Sequence, residues 1–304
     1  MGTPRTGQPA DLPTLLELRA LLVDDRGTLA PGSALYEVMS HPLAFVAGEA
    51  QALVTVRHAD IACVIAEHTG MAGQPFERVQ RTRALMLRLE FGSSREAELA
   101  ARTLWRVHDG LVATDEGRVL RASDPDLLAI LMVMGQLCSA TWSVLMHGIA
   151  RPRDVKNRAD ELFARMWQDR EPSRSSLGIP GGHLPDSPGD AVDWVMAELD
   201  RRWRDDARAN ELADIARGLP RAYVESAFSA RWAPLLGLPA MAVTQAATAA
   251  AVLALRGPMV PRAPAIASGR TVAAGCVAAR GMHAAISALP DPVARRWVFT
   301  PTSD

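Results

Sequence analysis

The side chains with the most chemical capacity are seven histidines (His41, His58, His68, His108, His147, His183 and His283) and a short run of two cations and a hydroxyl at Arg78, Arg81 and Thr82. His108 stands apart by register. It shares a helical face with Ala97, Ala101, Leu104, Val107, Leu111 and Val112, so an inward-facing imidazole is expected. A buried imidazole needs a partner for each ring nitrogen, and on spacing alone a core histidine bonded to a backbone carbonyl is the preferred reading. Arg78 and Arg81 lie three apart, with Thr82 four from Arg78, so all three fall on one helix face. Leu85 and Leu89 continue near that face toward the core. Two readings stand side by side: cations and a hydroxyl lining a cavity, or a solvated helix start with Glu77 and Glu90 as local partners. Glu67 and His68 can act as acid or base, but as neighbours on a helix they point about 100° apart.

The other histidines suit ordinary roles. His41 precedes Pro42, and His183 lies in the glycine- and proline-rich stretch from Glu171 to Gly189, so both read as turn or surface residues. His147 ends a long apolar helix, where a cationic side chain suits the helix dipole. His283 has nothing near it in sequence to pair with. The chain has no Cys-x-x-Cys, His-Glu-x-x-His, phosphate-binding loop, Gly-x-Ser-x-Gly elbow or Cys-x-x-Cys-His haem attachment, which removes the chemistries those motifs carry.

The elements that must position these residues read as helices throughout. A helix over 78–91 stops at Gly92, and Ser93 with Glu96 three residues later forms a capping-box signature for the helix that carries His108. Asp124-Pro125 opens the next one as cap and first helical residue, and its apolar pattern runs to Gly148. Further helices are expected over 11–22, 151–167, 190–204, 240–255 and 271–289, with short ones at 209–218 and 221–230, and a mostly apolar segment over 53–69. The alanine-rich pair 240–255 and 271–289 has side chains small enough for close helix packing. No convincing period-two strand run appears. The fold class is therefore all-α, with residues 1–10 disordered, one domain over 11–290 and a tail over 291–304.

Composition narrows the setting. The chain has 304 residues and a net charge of −1, and its arginines are dispersed among acidic residues, which argues against a nucleic-acid partner. Cys63, Cys138 and Cys276 are odd in number and lie in apolar patterns, as buried reduced thiols do, favouring a cytoplasmic location. The N-terminus lacks the apolar core of a secretory signal; its match to a myristoylation pattern at Gly2 and Thr6 is set aside because the Ala- and Arg-rich composition is bacterial in character. The stretch from Leu127 to Met146 approaches membrane-spanning length, but Gln136, Ser139, Thr141 and Ser143 interrupt it, so a central buried helix is expected and no membrane span.

Four blocks, in order, resemble the latex-clearing protein (rubber oxygenase) and MpaB-type oxygenase superfamily. They are His58-Ala-Asp-Ile-Ala-Cys-Val-Ile-Ala-Glu67-His68-Thr69; Arg78-Val-Gln-Arg81-Thr82 with Phe91-Gly92; Arg106-Val-His108 with Arg118 and Asp124-Pro125-Asp126-Leu127-Leu128; and Leu177-Gly-Ile-Pro180, Leu184-Pro185 and 190–199. The resemblance implies a globin-like helical bundle around a noncovalent haem b, with His108 as the proximal iron ligand and Arg78, Arg81 and Thr82 on the opposite face. The family's second cation there is a lysine; an arginine stays charged and is a poor iron ligand, so Arg81 would bind a propionate or orient oxygen. This chain also has Ala59 for a proline, Val64 for a glycine and Met132 where relatives carry a histidine.

The function expected is that of a haem-dependent oxygenase acting with dioxygen, and an electron donor where one is needed, on an apolar or natural-product-like small molecule. Arg78, Arg81, Thr82, Glu67 and His68 are the candidate catalytic residues; His108, Arg78, Arg81 and Met132 are the candidate cofactor contacts. The rival expectations are a noncatalytic haem sensor that lost the histidine replaced by Met132, and a helical interaction module with no cofactor.

Overall fold

The computed structural model describes residues 32–39, 41, 43–68, 75–147, 152–169, 179, 184–227 and 233–288. The expected disordered N-terminus, the opening helix over 11–22 and the tail over 291–304 lie outside the described residues. Twelve α-helices are described: α1 (Ala34–Met39), α2 (Phe45–Thr55), α3 (Ala59–His68), α4 (Pro75–Phe91), α5 (Ser94–Asp109), α6 (Pro125–Met146), α7 (Pro152–Asp169), α8 (Pro188–Arg201), α9 (Ala207–Ala227), α10 (Ala233–Ala254), α11 (Ala263–Ile266) and α12 (Gly269–Ser287). A 3₁₀ turn over Gly257–Arg262 precedes α11. The chain is all-α.

α6 is the axis of the molecule. It starts as its sequence dictates, with the Asp124 carboxylate accepting from Asp126 N–H at 2.9 Å and Pro125 in the first turn, and His147 is its C-cap. It is apolar nearly all round, the mark of a helix covered on every side. α2 and α7 flank it, with α10, α12 and α8 completing the cover. α6 and the stretch Gly237–Ala254 are each long and apolar enough to cross a membrane, but α6 is largely buried inside the protein. Its polar groups turn inward to the backbone: Ser139 and Thr141 donate to the carbonyls of Gly135 and Leu137, and Gln136 reaches Met166 O on α7.

α10 and α12 make the closest helix pair. At Gly275 an added Cβ would lie 2.2 Å from the Gln245 carbonyl oxygen and 2.5 Å from Ala249 Cβ. The two backbones touch there, as the small residues of both sequences anticipated.

Three expectations are corrected. A β-hairpin, β1 (Val112–Asp115) and β2 (Arg118–Arg121), follows α5. Its two-residue loop, Glu116-Gly117, has φ of +49° and +80°, the left-handed pair of a type I′ turn. Ala113 and Leu120 are buried against Cys63 and Val64 of α3. Four-residue strands are too short to show a period in sequence, hence the miss. Gly117→Val is expected to cost about 1–2 kcal/mol, the penalty of a β-branched residue in left-handed backbone, read as a lowered denaturant midpoint.

The second correction is the segment over 53–69, which divides into α2 and α3 at Val56–His58. The break is made by distant chain: Ala59 N–H donates to Arg202 O at 2.9 Å and Arg204 N–H to Arg57 O at 2.8 Å. Third, the short helices at 209–218 and 221–230 are one helix, α9, with Pro220 inside it; there the cover that α9 gains from α10 and α2 outweighs the lost backbone bond.

Candidate functional site

α4 and α5 pack on each other across a link of two residues, Gly92 and Ser93. An added Cβ at Gly92 would meet Arg88 O at 2.4 Å and Glu96 Cβ at 2.8 Å, so only glycine permits so abrupt a junction. Ser93 and Glu96 complete the expected capping box, with Ser93 Oγ accepting from Glu96 N–H at 3.2 Å and Glu96 Oε2 from Ser93 N–H at 2.7 Å. His108 is in the last turn of α5, about four helical turns from the link, and Arg78–Thr82 are in the first turns of α4, about three to four turns from it.

His108 is half-buried, not fully inward. Its Nδ1 is enclosed by protein. Ala97 and Ala101 on its stripe are buried, Leu104 is half-buried, and Val107, expected on that face, is 40% exposed. The last turn of α5 therefore projects partly beyond the core. One turn before it on α5, Leu104 and Trp105 pack on the core while remaining partly uncovered, as do Leu85 and Met86 on the middle of α4. Arg81 and Thr82 are exposed, and the side chain of Arg78 lies outside the described residues.

Glu67 and His68 end α3, both exposed. Cys63 Sγ donates to Glu67 Oε1 at 3.5 Å, and burial followed by Glu67 pushes the Cys63 thiol above its ordinary value. His68 Nε2 donates to the Val112 carbonyl of β1, leaving its lone pair on Nδ1. Because β1 begins just past His108, this bond brings His68 to the same end of α5. Met132 is 5% exposed in the main core, among residues of α6 and its neighbours. Principal contacts differ: α5 lies on α4, whereas α6 lies on α2 and α7.

Sequence reading missed a charge cluster built around the break between α2 and α3. Arg57 is 2% exposed and donates to Asp205 Oδ1 at 2.7 Å and Asn210 Oδ1 at 2.8 Å. Asp60 accepts from Arg118 of β2 at 2.6 Å and from Arg202, and Arg204 reaches Asp115 of β1 at 3.4 Å. His58 is fully buried; its Nε2 lies 3.7 Å from Glu198 of α8. Burial lowers its pKa, and the opposing pull of Asp60 and Glu198 does not restore it. Burial raises Glu198, but the Arg201 hydrogen bond and charge, with His58 behind them, bring it below its ordinary value. The signal was Arg57-His58-x-Asp60 inside an apolar run, since charges there are almost always paired. The cluster fixes the hairpin and α3, and so the surroundings of His68.

Among the described residues, no group of three His, Cys, Asp or Glu side chains is arranged to hold a metal ion. A porphyrin-held iron asks for less: one axial imidazole and an apolar face. The family described as ER-bound oxygenase mpaB/B′/rubber oxygenase, catalytic domain, matches residues 23–303. The chain belongs to this family. The match spans every element described above, and it gives the mpaB/rubber oxygenase domain of this chain an oxygenase-type function. No curated protein and no solved structure matches the chain.

Proposed function

We propose that this mpaB/rubber oxygenase domain holds haem b through His108 and acts as an oxygenase on an apolar small molecule, with dioxygen as co-substrate and an electron donor where the reaction needs one. The observation that carries this reading is the half-buried His108 beside a half-covered apolar face on the same helix pair. Leu104 and Trp105, with Leu85 and Met86 of α4, offer apolar contact to a flat macrocycle, and with Nδ1 of His108 enclosed, Nε2 would be the ligating nitrogen. Haem would supply the redox-active iron at which dioxygen is activated.

The remaining work falls to the chain's own groups. Arg81 presents a planar guanidinium as a fixed donor to a carboxylate or an oxygen atom. Thr82 adds a hydroxyl on the same turn, and Arg78 a second cation by the family resemblance. His68, with Nε2 occupied by Val112 O, has Nδ1 left to take a proton; Glu67 is its less direct companion. Met132 is buried in the main core, on a helix whose principal contacts are elsewhere. Free thiols at Cys63, Cys138 and Cys276 fit the cytoplasmic location that belongs to this proposal.

Met132, where relatives carry histidine, favours one second reading: a haem-binding relative without turnover. Oxygen uptake separates the two. Protein produced with haem supplied, given a reductant and a panel of apolar substrates, is expected to consume oxygen with at least one of them. Arg81→Ala is expected to keep its haem and slow uptake by about 10- to 100-fold, in line with loss of one preorganised donor. Uptake at the wild-type rate in Arg81→Ala contradicts the role given to Arg81, and haem without uptake on any substrate favours the second reading.

A further inference from the structure

Three histidines from distant parts of the chain meet at one end of α6. They are His41 ahead of α2, His147 at the α6 C-cap and His283 near the end of α12. The His147 and His283 ring centroids are 5.2 Å apart, and those of His41 and His283 6.0 Å. Sequence reading gave each of them a separate, local role. Hydrogen bonds fix two tautomers. His147 Nδ1 lies 2.7 Å from Ser143 O and must donate to it, so its lone pair is on Nε2. His41 Nδ1 accepts from Leu43 N–H at 3.1 Å, so its proton is on Nε2. His283 Nδ1 is enclosed and has no hydrogen-bond partner among the described residues.

A second proton on His41 must enter at Nδ1 and break the Leu43 bond. A proton on any of the rings also sets a cation beside another imidazole. Among the described residues, the ionisable groups on the elements around the cluster are few. α12 packs chiefly on α10 and α6; α10 has no ionisable side chain, and α6 has only Cys138, buried, and Asp126 at its opposite end. On α12 itself Arg280 adds positive charge one turn before His283, with Arg270 and Cys276 further back. On the N-terminal side, α1 carries Glu37, and Glu49 of α2 is buried with its carboxyl pushed up to about 8 by desolvation, hence uncharged at neutral pH. Among the described residues, the charges that act on His41 are those of His283 and His147.

We propose that His41, His147 and His283 form an acid-sensitive clasp: neutral, they hold α12 and the His41 segment against the end of α6, and protonation releases α12. Burial, then His283 and His147, lower His41 to about 4, and burial with His147 lowers His283. A histidine lowered in the closed state favours closure fully above its free value of 6.5 and loses that contribution as the pH falls toward about 4. Glu49 acts in the opposite sense. With its pKa raised from 4.5 to about 8, it opposes the folded state more as the pH rises through that interval, so it gains on acidification. A fair test therefore compares chains that share Glu49.

The test is amide hydrogen exchange of the full chain at pH 7 and pH 5, corrected for intrinsic rates. In the wild type the opening constant of 269–287, relative to α6, is expected to rise at least about tenfold, the worth of one pKa unit. In His41→Gln the rise is expected to shrink to less than about threefold, and in His283→Gln to shrink by a smaller factor, because burial, the larger cause, still acts on His41. Should His283→Gln fail to fold, His41→Gln carries the comparison. An NMR titration of the wild-type imidazoles is expected to show at least one of the three about a unit or more below 6.5. An opening constant unchanged between the two pH values, or the same rise in wild type and both variants, overturns the clasp.

Discussion

His108→Gly is expected to weaken haem binding by about 100-fold or more and to abolish oxygen uptake, with part of both returning when excess imidazole is supplied. Losing an outer partner of a metal-bound histidine already costs about 10- to 100-fold, and removal of the ligand itself costs no less. The variant also tests the ligand without dismantling the pocket. His108 is in the last turn of α5, away from the Ser93–Glu96 capping box that starts the helix, so a glycine there costs about 1 kcal/mol of helix stability and no cap. Its ring is only half-buried, which leaves an opening that free imidazole can enter. Far-UV circular dichroism should stay at the wild-type level while the haem spectrum changes. An unaltered haem spectrum in His108→Gly would mean that another side chain carries the iron.

Gly275→Leu is expected to be the most damaging single change to the scaffold, at about 3 kcal/mol, the upper part of the range for overpacked cores. A Cβ alone would be driven into the backbone oxygen of Gln245, which no rotamer can relieve, so α12 must move away from α10. Because α12 also packs on α6, the shift would carry His283 away from His147. The measurement is the denaturant midpoint at neutral pH, with Gly281→Leu as control; at Gly281, also on α12, nothing lies within 4 Å of an added Cβ. Equal midpoints for the two variants would contradict the close packing at Gly275.

What the chain order made legible was the local grammar of helices. The Ser93–Glu96 box, the Asp124-Pro125 start, the apolar girth of α6 and the small residues of α10 and α12 all act over a few neighbours, and each appears in the structure as written. What stayed hidden depends on partners far away in sequence. The break at Val56–His58 exists because Arg202 and Arg204 pair with that backbone. Val107 fits an inward stripe by spacing, yet the end of α5 projects past the core that would bury it. His41, His147 and His283 read as unrelated until α12 folds back onto α6. Among the candidate site residues, sequence placed His108 on an inward face, whereas the structure leaves it half-buried. Sequence left open whether Arg81 and Thr82 line a cavity or sit on a solvated helix start, and they are exposed; it gave no sign that His68 would be held by the first residue of β1.

The most direct test is a haem titration of the wild-type chain followed by visible absorption. A saturable Soret band at one haem per chain, shifted or lost in His108→Gly, is the predicted result. Wild-type protein that folds, yet gives no Soret band beyond that of free haem, would contradict the haem-oxygenase account at its root.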